Sequence, residues 1–133
     1  MDEKAFKART KQLALRVIHM VESLPVNKTA DVIGRQVLRS ATSVGANYRA
    51  ACRAKSTADM IAKLSIVEEE ADETLYWLEL LVEGELVPET RLSSLMQETN
   101  EIVAMIVSSI KTLRKSNPAA HTVIQNQKSK IQN

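Results

Sequence analysis

The stretch MIAKLSIVEEEADETLYWLELL, Met60 to Leu81, decides the fold. Met60, Leu64, Val67, Ala71, Thr74, Leu78 and Leu81 recur there at alternating steps of four and three. An α-helix turns once every 3.6 residues, so these side chains line up as one seam along it. A seam that repeats every seven residues is the pattern of helices packed nearly parallel or antiparallel. Just upstream, Ser56-Thr57-Ala58-Asp59 reads as a capping box, with Ser56 as N-cap and Asp59 reaching back. Downstream, Gly84 supplies a stop and Pro88 a break.

Outward from this segment the same spacing continues. In the preceding stretch Val37, Ala41, Val44, Tyr48 and Ala51 form one stripe, flanked by Gly34, Leu38, Gly45 and Cys52. Each glycine costs such a helix roughly 1 kcal/mol against alanine. Either a neighbouring backbone or large side chain comes close there, with Trp77 the bulky candidate, or a long helix simply tolerates them. Near the start, Phe6, Leu13, Val17, Met20 and Leu24 share a face, widened by Ala14, Ile18 and Val21, and Pro25 ends it. Asn27 or Thr29 can cap the next helix. After Pro88, Leu92, Leu95, Thr99, Ile102, Ile106, Ile110 and Leu113 repeat the pattern. The spacing predicts helices over about residues 3–24, 29–55, 56–84 and 89–115, within one domain spanning 1–115. Their short connections force antiparallel neighbours, hence an all-α, up-down-up-down four-helix bundle. Residues 116–133 are polar and carry no sustained stripe, which predicts a flexible basic tail.

Composition agrees. Of 133 residues 44% are hydrophobic and 26% charged, while 3% are aromatic and three are glycine. Sheets favour β-branched and aromatic side chains, and here most Val and Ile residues sit in helical spacing. The opening MDEKAFKART has no apolar signal region, and no apolar run approaches the ~20 residues that span a bilayer. A single cysteine, Cys52, excludes an intrachain disulfide. These features predict a cytoplasmic protein without a membrane partner.

Charge is sorted by segment. Residues 29–55 hold five basic and one acidic residue, residues 56–84 one and eight, and residues 111–133 five and none. The net +2 of the whole chain conceals this division. One reading pairs Arg35, Arg39, Arg49 and Arg53 with Glu69, Glu70, Asp72 and Glu73, across helices or across subunits. The other makes the basic row, with Lys55, a surface for phosphate backbones on which Tyr48 could stack a base, although a tyrosine at a stripe position is more often simply packed. Both stay open at this level, and Trp77 joins the acidic residues as a candidate subunit contact.

The sequence offers no reactive constellation. A carboxylate-bridged di-iron site in a bundle needs two Glu-x-x-His motifs, but neither His19 nor His121 has an acidic residue three positions before it. Thr42-Ser43-Val44-Gly45-Ala46 lacks the spacing of a phosphate loop, and no Gly-x-Ser-x-Gly elbow occurs. Cys52 beside Arg53 is a small helical cysteine of the kind usually buried and inert. The expectation is a non-enzymatic protein with no catalytic residue, metal, cofactor or small-molecule substrate.

Ser40-Ala41-Thr42-Ser43-Val44-Gly45-Ala46-Asn47-Tyr48-Arg49 and Glu73-Thr74-Leu75-Tyr76-Trp77-Leu78 closely resemble the four-helix-bundle proteins encoded in intervening sequences of bacterial 23S ribosomal RNA genes. The likeness spans about residues 5–115. It implies an up-down-up-down bundle that assembles as a ring-shaped homopentamer. The fold also resembles the accessory variability protein of diversity-generating retroelements, which binds nucleic acid through a basic surface. That likeness implies a role for Arg35, Arg39, Arg49, Arg53 and Lys55 in contacting RNA or a nucleoprotein. Glu68-Glu69-Glu70 departs from the family pattern, which tends to have a basic or apolar residue there. An acidic band facing the same way as the arginines would weaken attraction for RNA. The alternative is a structural protein whose charged rows serve subunit contacts alone.

Overall fold

The computed structural model describes residues 2–116, so the expected tail beyond Ser116 lies outside the described residues. Four helices follow in order: α1 (Glu3–Glu22), α2 (Lys28–Cys52), α3 (Thr57–Glu83) and α4 (Glu89–Ser116). No strand occurs among the described residues. The starts of α1, α2 and α3 each have a sequence-encoded cap. The Asp2, Asn27 and Ser56 side chains accept from the backbone N–H of Lys4, Ala30 and Asp59, satisfying donors a helix leaves open. Asn27, not Thr29, is the α2 cap. Asp59 reaches one residue further than a capping box requires, accepting from Lys55 N–H at 3.1 Å and holding the Lys63 ammonium at 2.9 Å.

Cross-contacts fix the topology. Thr10 lies against Gly45 while Leu24 lies against Gly34, so α1 and α2 run antiparallel. Arg9 reaches Glu98 and Glu101, and Arg91 reaches Ser23, so α4 runs antiparallel to α1. With α3 packed between α2 and α4, this is an up-down-up-down four-helix bundle.

The core follows the predicted seams. Val37, Ala41, Val44, Ala51, Leu64, Val67, Ala71, Leu78, Leu81, Ile102 and Ile106 are buried. Each large one contributes about 1.5–3 kcal/mol by leaving water. Ile61, one residue after Met60, takes the innermost place at that end of α3, and Met60 is half-buried beside it. Ile18 faces outward at 38% exposure, because it follows the fully buried Val17 and a helix turns about 100° per residue. Between α2 and α3 the Thr74 hydroxyl donates to Ser40 Oγ at 2.9 Å, and Ser40 donates to the Val37 carbonyl. Both hydroxyls are fully buried and both are satisfied.

The glycines of α2 do meet close neighbours, but Trp77 is not among them. A Cβ on Gly34 would lie 3.0 Å from Leu24 Cδ1, and one on Gly45 would lie 3.3 Å from Thr10 Oγ1. Helix α1 is what approaches. At the end of α3 the left-handed residue is Glu85, with φ 61°, while Gly84 keeps φ −80°. Glu85 N–H bonds the Val82 carbonyl and Leu86 N–H the Leu81 carbonyl, the paired bonds of a Schellman turn.

Candidate nucleic-acid interface

The arginine row on α2 does not act as one surface. Arg35 pairs with Asp31 one turn away on its own helix, at 2.9 Å. Arg39 leans toward α3, where it meets Glu73 at 2.7 Å and Glu70 at 3.4 Å. Trp77 Nε1 donates to the same Glu73 carboxylate at 3.2 Å, and the Arg39 bond holds that carboxyl below its ordinary range. Glu70 and Glu73 are thus engaged inside the chain. Glu69 and Asp72 point outward, and no ion pair involves them among the described residues.

Tyr48 is corrected from a base-stacking candidate to a core residue. Its ring is 3% exposed and packs edge-on against Phe6, centroids 4.6 Å apart. It sits on the same inward stripe as Val44 and Ala51, so both ring faces are turned away from solvent. Burial pushes its phenol up from the ordinary range, and does the same to the nearby Cys52 thiol. A thiol raised in this way is a poor nucleophile at neutral pH.

Arg49 and Arg53 lie elsewhere. Arg49 lines a groove of about 560 Å³ between α1 and α2, with Lys7 and Lys11 contributed by α1. The floor and walls are small residues: Ala8, Thr10, Ala14, Thr42, Gly45 and Ala46. Small side chains let the two helices approach while leaving the long cationic ones to frame the opening. Lys7 pairs with Glu3 at 3.0 Å. Lys11, Arg49 and Arg53 make no ion pair among the described residues. Lys55 follows α2 at the same end, with its side chain exposed. Arg49 also stands in the last turn of α2, where a cation is favoured by the helix dipole.

Sequence reasoning on α2 alone missed Lys7 and Lys11. The signal was present, since Lys4, Lys7 and Lys11 share one face of α1 at steps of three and four. It also missed the Arg9–Glu98 pair, whose guanidinium binds the carboxylate through two 2.8 Å bonds and links α1 to α4. Glu68-Glu69-Glu70 does not face the groove's way. It lies on α3, and its one contact with the arginine row is Glu70 with Arg39. Among the described residues no group of three or more His, Cys, Asp and Glu side chains is placed to hold a metal. No described helix is long and apolar enough to cross a membrane.

These helices, caps and seams define an all-α bundle with a basic flank and an acidic flank. The family model for the 23S rRNA-intervening sequence protein matches residues 4–108, and the chain belongs to that family. Among solved structures, it is similar to a protein of unknown function from the S23 ribosomal protein family of Bacteroides thetaiotaomicron. The two are 38% identical with a TM-score of 0.77, over 84% of this chain and 99% of that one. No curated protein matches.

Proposed function

We propose that this is a non-enzymatic cytoplasmic binding protein that holds RNA, free or in a nucleoprotein, by its phosphate backbone at the α1–α2 groove. The observation that carries the reading is the convergence of Lys7, Lys11 and Arg49 from two helices on one opening, with a single ion-paired acid, Glu3, beside them. Arg53 and Lys55 extend the surface. Arg35 and Arg39 contribute less, because Asp31, Glu70 and Glu73 already neutralise them. Binding through phosphates weakens steeply as salt rises, since released counterions drive it. Sedimentation with total bacterial RNA at low and high salt tests this. Co-sedimentation at low salt that disappears at high salt, and is lost in Lys11→Glu/Arg49→Glu, supports it. No co-sedimentation at either salt overturns it.

A second reading is favoured by the outward Glu69 and Asp72 of α3, which meet no cation among the described residues. They complement the basic α1–α2 flank of another copy, and head-to-tail contacts of that kind close into rings such as the expected homopentamer. Under that reading Lys11→Glu/Arg49→Glu yields monomers by light scattering and RNA affinity is absent throughout.

A further inference from the structure

The phosphate-binding reading can be taken further, and this inference rests on it. We infer that the α1–α2 groove receives double-stranded RNA by its backbone, without regard to sequence, and does not bind single strands through their bases.

The reason is where the aromatic residues lie. Proteins that hold single strands stack the bases on exposed aromatic rings, each stack contributing on the order of 1–3 kcal/mol. This chain has four aromatic residues: one Phe, two Tyr and one Trp. Phe6 and Tyr48 are buried against each other. Tyr76 and Trp77 pack edge-on on α3, where Trp77 bonds Glu73; Tyr76 is 52% exposed, but on α3 and outside the α1–α2 groove. None reaches the groove, whose lining is alanine, glycine, threonine and three cations. The Thr42 hydroxyl is occupied by the Leu38 and Arg39 carbonyls, and the Thr10 hydroxyl by that of Lys7. No amide or carboxylate side chain lines the groove to read base edges. What remains is a fixed set of cations.

A fixed cationic patch gains most from the densest line of phosphates. A duplex carries two strands of phosphate along one axis, and its affinity falls with log salt at about −0.9 per phosphate contacted, against about −0.7 for a single strand. With roughly three contacts, from Lys11, Arg49 and Arg53, since Glu3 already pairs Lys7, duplex affinity falls about fortyfold between 50 and 200 mM salt.

Fluorescence anisotropy provides the test, using a labelled 20-base-pair RNA duplex and an unstructured single strand of equal length. Full-length protein and its Lys11→Glu/Arg49→Glu variant are compared, with circular dichroism to confirm that the variant folds. The duplex is expected to bind at least tenfold tighter than the single strand, two duplexes of unrelated sequence equally, and the variant at least tenfold more weakly. Equal or tighter binding of the single strand, or discrimination between the two duplexes, overturns the inference and leaves the phosphate-binding reading standing. Binding of neither RNA overturns both, and a folded variant that changes only from oligomer to monomer assigns the groove to a second copy.

Discussion

Glu85 stands where a helix terminus usually holds glycine, and replacing it tests the description of α3's end. It is the one non-glycine residue with positive φ among the described residues, at 61°, and its side chain is exposed with no ion pair. A left-handed conformation costs an L-residue about 1–2 kcal/mol, since its Cβ crowds the following carbonyl. Glycine escapes that crowding but loses roughly 0.4–1 kcal/mol through its freer unfolded chain. Removing an anion from the negative end of a helix with no basic residue in its last turn adds about 0.3 kcal/mol. The balance for Glu85→Gly is a gain of about 1 kcal/mol, which raises Tm by about 4 °C for a bundle of this size. Glu85→Gln separates the two causes, because it removes the charge and keeps the strained backbone, so its gain is about 0.3 kcal/mol. Thermal and urea melts followed by circular dichroism measure both. A Glu85→Gly protein that melts at or below the parent refutes the turn assignment, and a Gln variant matching the Gly variant assigns the whole effect to charge.

The bond from Arg9 holds the Glu98 carboxyl below its ordinary range, so the unfolded chain takes up that proton first as pH falls. The stabilisation is complete above the ordinary carboxylate range and is lost as pH drops through the lowered value. Tm is therefore expected to fall between about pH 5 and 3, and Glu98→Gln to lower neutral-pH stability by about 1 kcal/mol and flatten the decline. Leu78→Ala opens a cavity at a fully buried seam position and is expected to cost 2–5 kcal/mol in urea melts, roughly, whereas Leu15→Ala at 42% exposure should stay within about 0.5 kcal/mol. Glu73→Ala removes the acceptor of the single tryptophan's N–H, so Trp77 emission should change while the helical far-ultraviolet signal is kept.

Helix positions were legible because each was specified several times over. On α3 the seam, the Ser56 cap and the Gly84–Pro88 stop agree, and local signals that agree with one another rarely mislead. The pattern was less informative at its edges. Met60 and Ile61 are adjacent apolar residues, and which one faces inward depends on how the end of α3 leans on its neighbours. Tyr48 was ambiguous for a related reason: its place on the stripe of Val44 and Ala51 indicated burial, while the basic row offered a surface on which it could stack a base. Ion pairs were the least legible feature. The spacing of Arg39 and Arg49 on one helix does not reveal that they lean toward different partners, because that depends on where α1 and α3 pack around α2.

That divergence governs how the charge division reads as a surface. An arginine on the α3 side of α2 meets carboxylates of its own chain, as Arg39 does with Glu70 and Glu73. An arginine on the α1 side meets more cations, as Arg49 does with Lys7 and Lys11. Glu3 offsets Lys7, but Lys11 and Arg49 remain like charges without an ion pair at one opening, and the small residues beneath already close the helix contact. Arg49 gains from the dipole at the end of α2 and Lys7 from Glu3 one turn away, but Lys11, in the first half of α1, gains nothing comparable. The repulsion is relieved by whatever brings negative charge to the groove, and each such partner that binds the folded chain also stabilises it. A ligand of that sign should therefore raise Tm in the parent and leave Lys11→Glu/Arg49→Glu unmoved, which links the melting curve to the binding surface without reference to any activity.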